Sequence, residues 1–412
     1  MSRSEFIIIG LLCVVCLVGR LFLFFAHPPT YRDGQVISLQ VQLMQEPQLS
    51  NKGQQFAIQT PDNQAIYVKT SAVPVYHYGD TLAIQGSLQV QKDEKGHEFF
   101  HLNFPKIRKK ESTKNPLVMS SVAVRRESAA LFERVLPPIS SSLLMGIVFG
   151  AKENFPDDFK DNLRSTGVLH VIAASGMNVS FFTGAVMFSL GAFLKRRFAI
   201  ILSIFAVIFY SFLVGFEPSI IRASIMALIA FAASFFGRQN LGVWALFVTG
   251  YLMLLLQPNY LLDVGFQLSF LATLGILVIG KRLEVLSAFG ALAEDMKTTI
   301  SAEAATLPIL LSTFGQVGIV SFVVNTLVLW TVPILMVLGS IAVLVGIVIP
   351  PLGSLFLICC LPFLLYFEQV VNIFGSLGWN ITLDSFPWQL IVSYYFVLGA
   401  LLFVRKSSEE SV

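Results

Sequence analysis

The strongest constraint on this chain is a succession of apolar runs, each about as long as a bilayer core is thick, filling most of residues 168–404 with almost no charge. Hydrophobic residues make up 55% of the 412 and charged residues 13%, against roughly 25% charged in an ordinary soluble domain. The shortage is uneven: residues 27–137 hold 13 of the 28 Lys and Arg and 10 of the 25 Asp and Glu. The pattern implies a polytopic α-helical membrane protein with one soluble insert near its N-terminus. Spans are expected near 168–194, 198–215, 218–237, 241–257 and 262–280. A short polar-flanked segment follows at 300–316, then 318–348, 353–378 and 388–404, with Pro333 either kinking 318–348 or dividing it. Residues 117–136 read as an amphipathic helix, and the apolar 138–151 is too short to span, which fits a re-entrant or interfacial segment.

The first apolar stretch, Phe6 to Phe25, follows Arg3 and is longer than a typical signal-peptide core. No small-x-small site follows it, so it reads as a retained anchor. The expected order is then an anchor over 1–26, an insert over 27–110, amphipathic and re-entrant segments over 111–152, a membrane domain over 153–405 and a tail over 406–412.

Within the insert, Ile37, Leu39, Val41 and Leu43 alternate with polar or exposed positions, the period of a strand covering a small core. Further strands are expected at 54–60, 65–70, 81–90 and 98–107, punctuated by Pro61-Asp62-Asn63, Tyr78-Gly79-Asp80 and Asp93-Glu94-Lys95-Gly96. Five short strands in about 75 residues suit an OB-like β-barrel. Tyr67, Tyr76, Tyr78, Phe99, Phe100 and Phe104, beside the basic run Lys106, Arg108, Lys109, Lys110 and Lys114, offer stacking rings and charge for a single nucleic-acid strand. The same rings equally suit a barrel core, and the same charges equally suit anionic headgroups.

Charge at the junctions sets an expected topology. Lys195-Arg196-Arg197, Arg238 and Lys281-Arg282 fall at every second junction, while Glu217-Pro218 and Gln257-Pro258-Asn259 between them carry no Lys or Arg. The positive-inside rule puts the first set in the cytoplasm. Both termini then lie inside, with Arg3 and Arg405-Lys406, and the insert is extracytoplasmic.

Polar residues within the apolar runs are the candidates for chemistry, because an ionised group at mid-bilayer costs about 3 kcal/mol and irregular backbone there must face protein or water. They are His170, Ser175, Gly176, Asn178 and Ser180 in HVIAASGMNVS, then Arg222, Asp263, Gln267, Glu303 and Asn325. Ser180 and Ser269 read as hydrogen-bonding glue between helices. Asp263 and Glu303 either hold Arg222 or gate a path. His170 and Ser175 lie about 140° apart on a helix, so nucleophilic catalysis is disfavoured, though an intramembrane hydrolase remains an alternative. His97 and His101 are about 13 Å apart on a strand, too far to share a metal. Cys13, Cys16, Cys359 and Cys360 lie in apolar runs and read as packing residues. No phosphate-binding loop is present, so any transport is driven by a partner or a gradient. No cofactor is implied.

Four ordered motifs carry a resemblance. TGVLHVIAASGMNVS (166–180) resembles the T-G-x-x-H-L-x-A-I-S-G-L-H signature of the ComEC family of competence proteins, with Asn178 where that family has a second histidine. Arg222-Ala223 with Met226, Gln257-Pro258 through Asp263-Val264-Gly265-Phe266-Gln267-Leu268-Ser269-Phe270, and Ala302-Glu303-Ala304-Ala305-Thr306-Leu307-Pro308 are similar to later blocks, and Asn325 and Pro333 fit the next. The resemblance implies a channel for single-stranded DNA across the cytoplasmic membrane in natural transformation. Implied partners are single-stranded DNA, membrane lipids, an extracytoplasmic DNA receptor, and a cytoplasmic ATP-driven translocase or single-strand-binding proteins. Many members also end in a metallo-β-lactamase-like domain; no H-x-H-x-D-H is present, so either strand degradation is expected elsewhere, as in a separate nuclease, or this is a shortened form, and no enzymatic activity is expected of this chain. The alternative from another class is a small-solute transporter.

Overall fold

The computed structural model describes the chain apart from residues 1–2, 27–30, 44–46, 51–52, 61–64, 93–97, 111–114, 151–154, 169–171, 173–175, 217, 238–241, 284–290, 315, 319–320, 378–379, 383–386 and 410–412. After helix α1 (Arg3–Ala26) the insert forms two sheets. The first joins β1 (Val36–Gln42), β5 (Thr81–Ser87) and β8 (Lys106–Lys109) in antiparallel order β1-β5-β8. The second orders β2 (Gln48–Ser50), β3 (Gly53–Gln59), β4 (Ala65–Thr70), β7 (Glu98–Asn103) and β6 (Gln89–Lys92), with β4 and β7 parallel. Inward residues from both sheets, among them Ile37, Phe56, Ile66, Val68, Leu82, Ile84 and Leu102, fill one core. The result is a small OB-like insert whose described strands do not close into a barrel.

The strands expected as single runs at 81–90 and 98–107 each divide. Leu88 is buried at the first corner, donating its N–H to Gln35 and accepting from Gly34, so the chain leaves one sheet and enters the other. Phe104 turns the second corner at φ 48°, and Pro105 then packs over Gly86, where a side chain would collide with it. Apolar alternation continues through both corners, which is why a sequence reading joins them.

The insert seats on α2 (Pro116–Val135), whose start is capped by the Asn115 side chain accepting from the Leu117 N–H at 3.0 Å. The turn at Tyr78-Gly79 lies against this helix. A Cβ on Gly79, whose φ is +85°, would come within 2.9 Å of Val118 and 3.1 Å of Val122. The Arg125 guanidinium covers the Tyr78 ring at 5.5 Å.

The expected helix at 138–151 is α3 (Pro138–Phe149), at about 18 Å too short for a span. Nearly all its side chains from Ser140 to Phe149 are buried, which places it inside the bundle as a half-helix. Then come α4 (Asp157–Ser165), α5 (Gly176–Phe193), α6 (Arg196–Val214), α7 (Pro218–Phe235), α8 (Gly242–Leu256), α9 (Val264–Val278) and α10 (Ala291–Phe314). The region 318–348 divides into α11 (Ser321–Val328) and α12 (Thr331–Gly346), and α13 (Pro350–Gly375) and α14 (Trp388–Glu409) complete the order. Among the described residues five helices are long and apolar enough to cross a membrane: Gly176–Phe193, Arg196–Val214, Pro218–Phe235, Val264–Leu283 and Pro350–Gly375. The chain is a multi-pass membrane protein.

Helices in lipid gain little from hydrophobicity and pack closely where residues are small. α12 follows this rule on three sides: Gly339 faces Leu144 and Val148 of α3, while Gly346 faces Leu131 of α2 and Gly353 of α13. The main core gathers around these contacts, with Phe132, Leu143, Ile147, Leu335, Leu357 and Phe367 fully buried.

Candidate functional site

A helix that ends inside a bundle leaves its last carbonyls without partners. At the end of α3 two side chains take over. Asn178 on α5, fully buried, donates from Nδ2 to the Ile147 carbonyl at 3.0 Å, and the Tyr210 hydroxyl on α6 donates to the Val148 carbonyl at 3.2 Å. Gly150 closes the turn with φ +64° and its N–H on Gly146. Asn178 therefore holds the half-helix in place, and Tyr210, which stacks on Phe182 at 4.4 Å, is a partner the sequence reading did not identify.

Arg222 on α7 lies next to the start of α5. It is 7% exposed, donates from Nε to Ser269 Oγ at 2.8 Å, and from Nη1 to Thr273 Oγ1. Met226 Sδ lies 3.8 Å from Nη1. Its other terminal nitrogen, Nη2, fills the space that a side chain on Gly176 would need. That position is glycine because the guanidinium passes directly over its backbone. Among the described residues no carboxylate lies within 4.0 Å of Arg222, so two hydroxyls on α9 hold a charge that no acid balances. Ser269 and Thr273 are one helical turn apart on one face, the signal by which a sequence reading could have paired them.

The two acids proposed to hold Arg222 do other things. Asp263 is exposed and caps α9, accepting from the Phe266 N–H at 2.7 Å, while Gln267 donates to the Leu261 carbonyl at 2.8 Å. Glu303 on α10 accepts from Ser321 at 3.3 Å and Asn325 at 3.4 Å, both on α11. Glu303 and Asn325 thus form a second cluster, apart from Gly176 and Arg222. α9 adjoins both, because Gly275 lets it lie against Ser301 and Ala305 of α10. His170 and Ser175 lie outside the described residues. Ser180, read as interhelical glue, instead bonds the Gly176 carbonyl of its own helix at 3.0 Å.

Pro308 lacks an N–H and leaves the Ala304 carbonyl without its helical donor. The Tyr394 hydroxyl on α14 donates to that carbonyl at 2.8 Å, and Tyr395 to Ala305 at 2.8 Å. Proline and tyrosine pair form one joint between α10 and α14. Tyr394→Phe with Tyr395→Phe is expected to lower stability by about 1–3 kcal/mol, chiefly the cost of leaving the Ala304 carbonyl unpaired. Thermal unfolding of the purified protein in detergent reads this, and an unchanged midpoint would assign both carbonyls to other donors.

The insert presents its aromatic and basic groups on different sheets. Tyr67, 43% exposed, stacks on His101 at 5.5 Å and meets Phe99 edge-on at 6.1 Å, on the five-stranded sheet. Burial lowers the pKa of the His101 imidazole below its ordinary value, which favours a neutral stacking ring. Tyr76 and Tyr78 are buried, one in the insert's core and the other under Arg125, which removes both as stacking partners. Lys106 and Arg108 are exposed on the edge strand β8 of the other sheet. Lys109 is paired with the buried Asp80 at 2.8 Å, and Lys110 donates to Gln40 at 3.1 Å. No group of three or more metal-binding side chains occurs among the described residues.

Residues 147–408, which contain both clusters, match the competence protein family. The chain belongs to that family. The chain is 27% identical over 209 residues to the ComE operon protein 3 of Bacillus subtilis (strain 168), covering 50% of this chain and 26% of that protein. It is 32% identical over 170 residues to an uncharacterized protein of Aquifex aeolicus (strain VF5), covering 41% and 39%. It is 23% identical over 164 residues to the uncharacterized protein YcaI of Escherichia coli (strain K12), covering 37% and 22%. The chain thus spans well under half the length of each of these curated relatives. No solved structure matches it. Membership agrees with the resemblance read from the motifs, which supply Gly176, Arg222 and Ser269 at the α5–α7–α9 contact and Glu303 and Asn325 in the second cluster.

Proposed function

We propose that this competence-family protein is the conduit through which single-stranded DNA crosses the cytoplasmic membrane during DNA uptake. The observation that carries this reading is Arg222: a buried guanidinium without an acidic partner among the described residues, set over the backbone at the start of α5. Burying one charge among apolar helices costs about 3 kcal/mol, and a purely structural role would be served better by a neutral residue. The place has the attributes of an anion site, with a cation, two hydroxyls and the positive end of a helix together. A polyanion crossing a bilayer needs such donors at intervals along a wet path.

In this reading the basic junctions Lys195-Arg196-Arg197 and Lys281-Arg282 face the cytoplasm, as do both termini, and the insert lies outside. There the Tyr67–His101–Phe99 face contacts bases of the arriving strand, and an extracytoplasmic receptor delivers it. An ATP-driven translocase or single-strand-binding proteins draw it into the cytoplasm. The chain acts as a conduit in this reading.

The test is a deletion strain scored for DNA in two places. DNA is expected to reach a nuclease-protected outer compartment as in the parent strain and to be absent from the cytoplasm. Normal arrival in the cytoplasm defeats the reading, and a solute-uptake defect without a DNA phenotype assigns the protein to small-solute transport.

A further inference from the structure

We infer that Glu303, Ser321 and Asn325 form a binding site for one sodium ion. Glu303 on α10 faces Ser321 and Asn325, which lie four residues apart on α11 and so share a face of that helix. Both contacts to its Oε1 are long: 3.3 Å from the serine hydroxyl and 3.4 Å from the asparagine amide. Hydrogen bonds to a carboxylate normally close to about 2.5–2.9 Å. The group is held open rather than drawn together.

The independent sign is Asn325 itself. It is 3% exposed, and its Oδ1 is buried with no hydrogen-bond partner among the described residues. Among those residues no basic side chain lies within 4.0 Å of Glu303. The cluster therefore has an excess of oxygen acceptors and lacks positive charge. The nearby hydroxyls of Tyr394 and Tyr395 do not supply it, since they donate to the Ala304 and Ala305 carbonyls. An amide that turns about its last bond exchanges Nδ2 for Oδ1, which sets carbonyl, carboxylate and hydroxyl oxygens around one point.

Oxygen-only donors select a hard cation. One carboxylate balances one positive charge, and a divalent ion would leave an uncompensated charge among apolar helices. Sodium fits on both counts. Gly167, at φ +72°, packs on Ser321: a Cβ there would lie 2.7 Å from that residue's Cβ. Ion binding thus bears on the turn that leads toward the start of α5. Sodium binds here whether or not DNA passes Arg222, so the two readings fail separately.

The experiment uses the full chain in nanodiscs, comparing sodium chloride with N-methylglucamine chloride at equal ionic strength. Sodium is expected to raise the unfolding midpoint by about 3 °C. Glu303→Gln should abolish the shift, and Asn325→Leu should reduce it. Saturable retention of radiolabelled sodium by the unaltered protein is measured as well, which keeps the test independent of how the variants fold. Equal midpoints in the two salts with no saturable retention overturn the site, as does wild-type retention by Glu303→Gln. Stabilisation by acid alone, without a sodium response, also overturns it and makes the proton the occupant.

Discussion

Arg222→Ala is expected to cut arrival of DNA in the cytoplasm at least about a hundredfold, with the protein still folded in the membrane and DNA still reaching the outer compartment. The estimate follows from what the guanidinium does. Its two hydrogen bonds to Ser269 and Thr273 join α7 to α9, and each bond to a charged group contributes about 1.5–3 kcal/mol. Alanine removes those bonds and the charge together, while the two hydroxyls left behind can bond carbonyls one turn back, as Thr273 already does to Ser269 at 2.9 Å. Folding should therefore survive and anion passage should not. Gly176→Ala supplies the control, because its added methyl displaces the same guanidinium from the start of α5. Alone it should lower transformation by about tenfold or more, and in the Arg222→Ala background it should add nothing, the signature of two residues acting as one unit. Transformation frequency, normalised to the amount of protein in the membrane fraction, decides this. Losses that simply multiply would separate Gly176 from Arg222, and normal transformation by Arg222→Ala would remove that residue from the path.

The parts legible in the sequence are those set by period and length. Runs of 20 or so apolar residues announce spanning helices, and alternation announces strands, because each pattern is the direct geometric consequence of one face being buried. The corners at Leu88 and Phe104 escaped because alternation carries straight through them; only the hydrogen-bond partners change. Tyr67, Tyr76 and Tyr78 looked alike in the sequence, yet one is exposed and two are buried, since a ring serves a core as well as a surface. The partners of Arg222 were hidden for a different reason. Ser and Thr in apolar helices usually bond their own helix, as Thr249 does to Ala245, Thr306 to Ala302 and Thr273 itself to Ser269, so the one-turn spacing of Ser269 and Thr273 does not by itself assign them to Arg222. Acids are the usual partners of a buried arginine. Asp263 is instead spent on capping α9, and Glu303 belongs to a different cluster.

A common thread links the polar residues that the motifs share. Several of them, with Tyr394, satisfy backbone groups at helix ends or breaks. Asn178 caps the half-helix α3, Asp263 caps α9, and Tyr394 covers the carbonyl that Pro308 leaves free. Interruptions at membrane depth are tolerated only where such repairs exist or where water is admitted. At Gly176 the Arg222 Nη2 lies over the backbone while Nε and Nη1 are held by Ser269 and Thr273, and the functional reading rests on that buried guanidinium.

Gly353→Leu is expected to give no folded protein. α12 and α13 cross where Gly346 meets Gly353, and a Cβ on Gly353 would collide with the Gly346 Cα and lie 3.0 Å from the Ala342 carbonyl oxygen and 3.1 Å from the Gly346 nitrogen. All three obstacles are backbone, so no rotamer change relieves them. Overpacking in a core that can adjust costs about 1–3 kcal/mol, and here the helices themselves must separate, opening the core around Leu357 and Phe367. α12 also receives Leu131 and Leu144 through Gly346 and Gly339, so its displacement disturbs α2 and α3 as well. Gly191→Leu is the matched control, since nothing lies within 4 Å of a Cβ built there on α5. Fluorescence-detected gel filtration of the two variants should show aggregate for Gly353→Leu and a normal peak for Gly191→Leu. A monodisperse Gly353→Leu protein with an unchanged unfolding midpoint would mean that the α12–α13 crossing is not held by backbone contact.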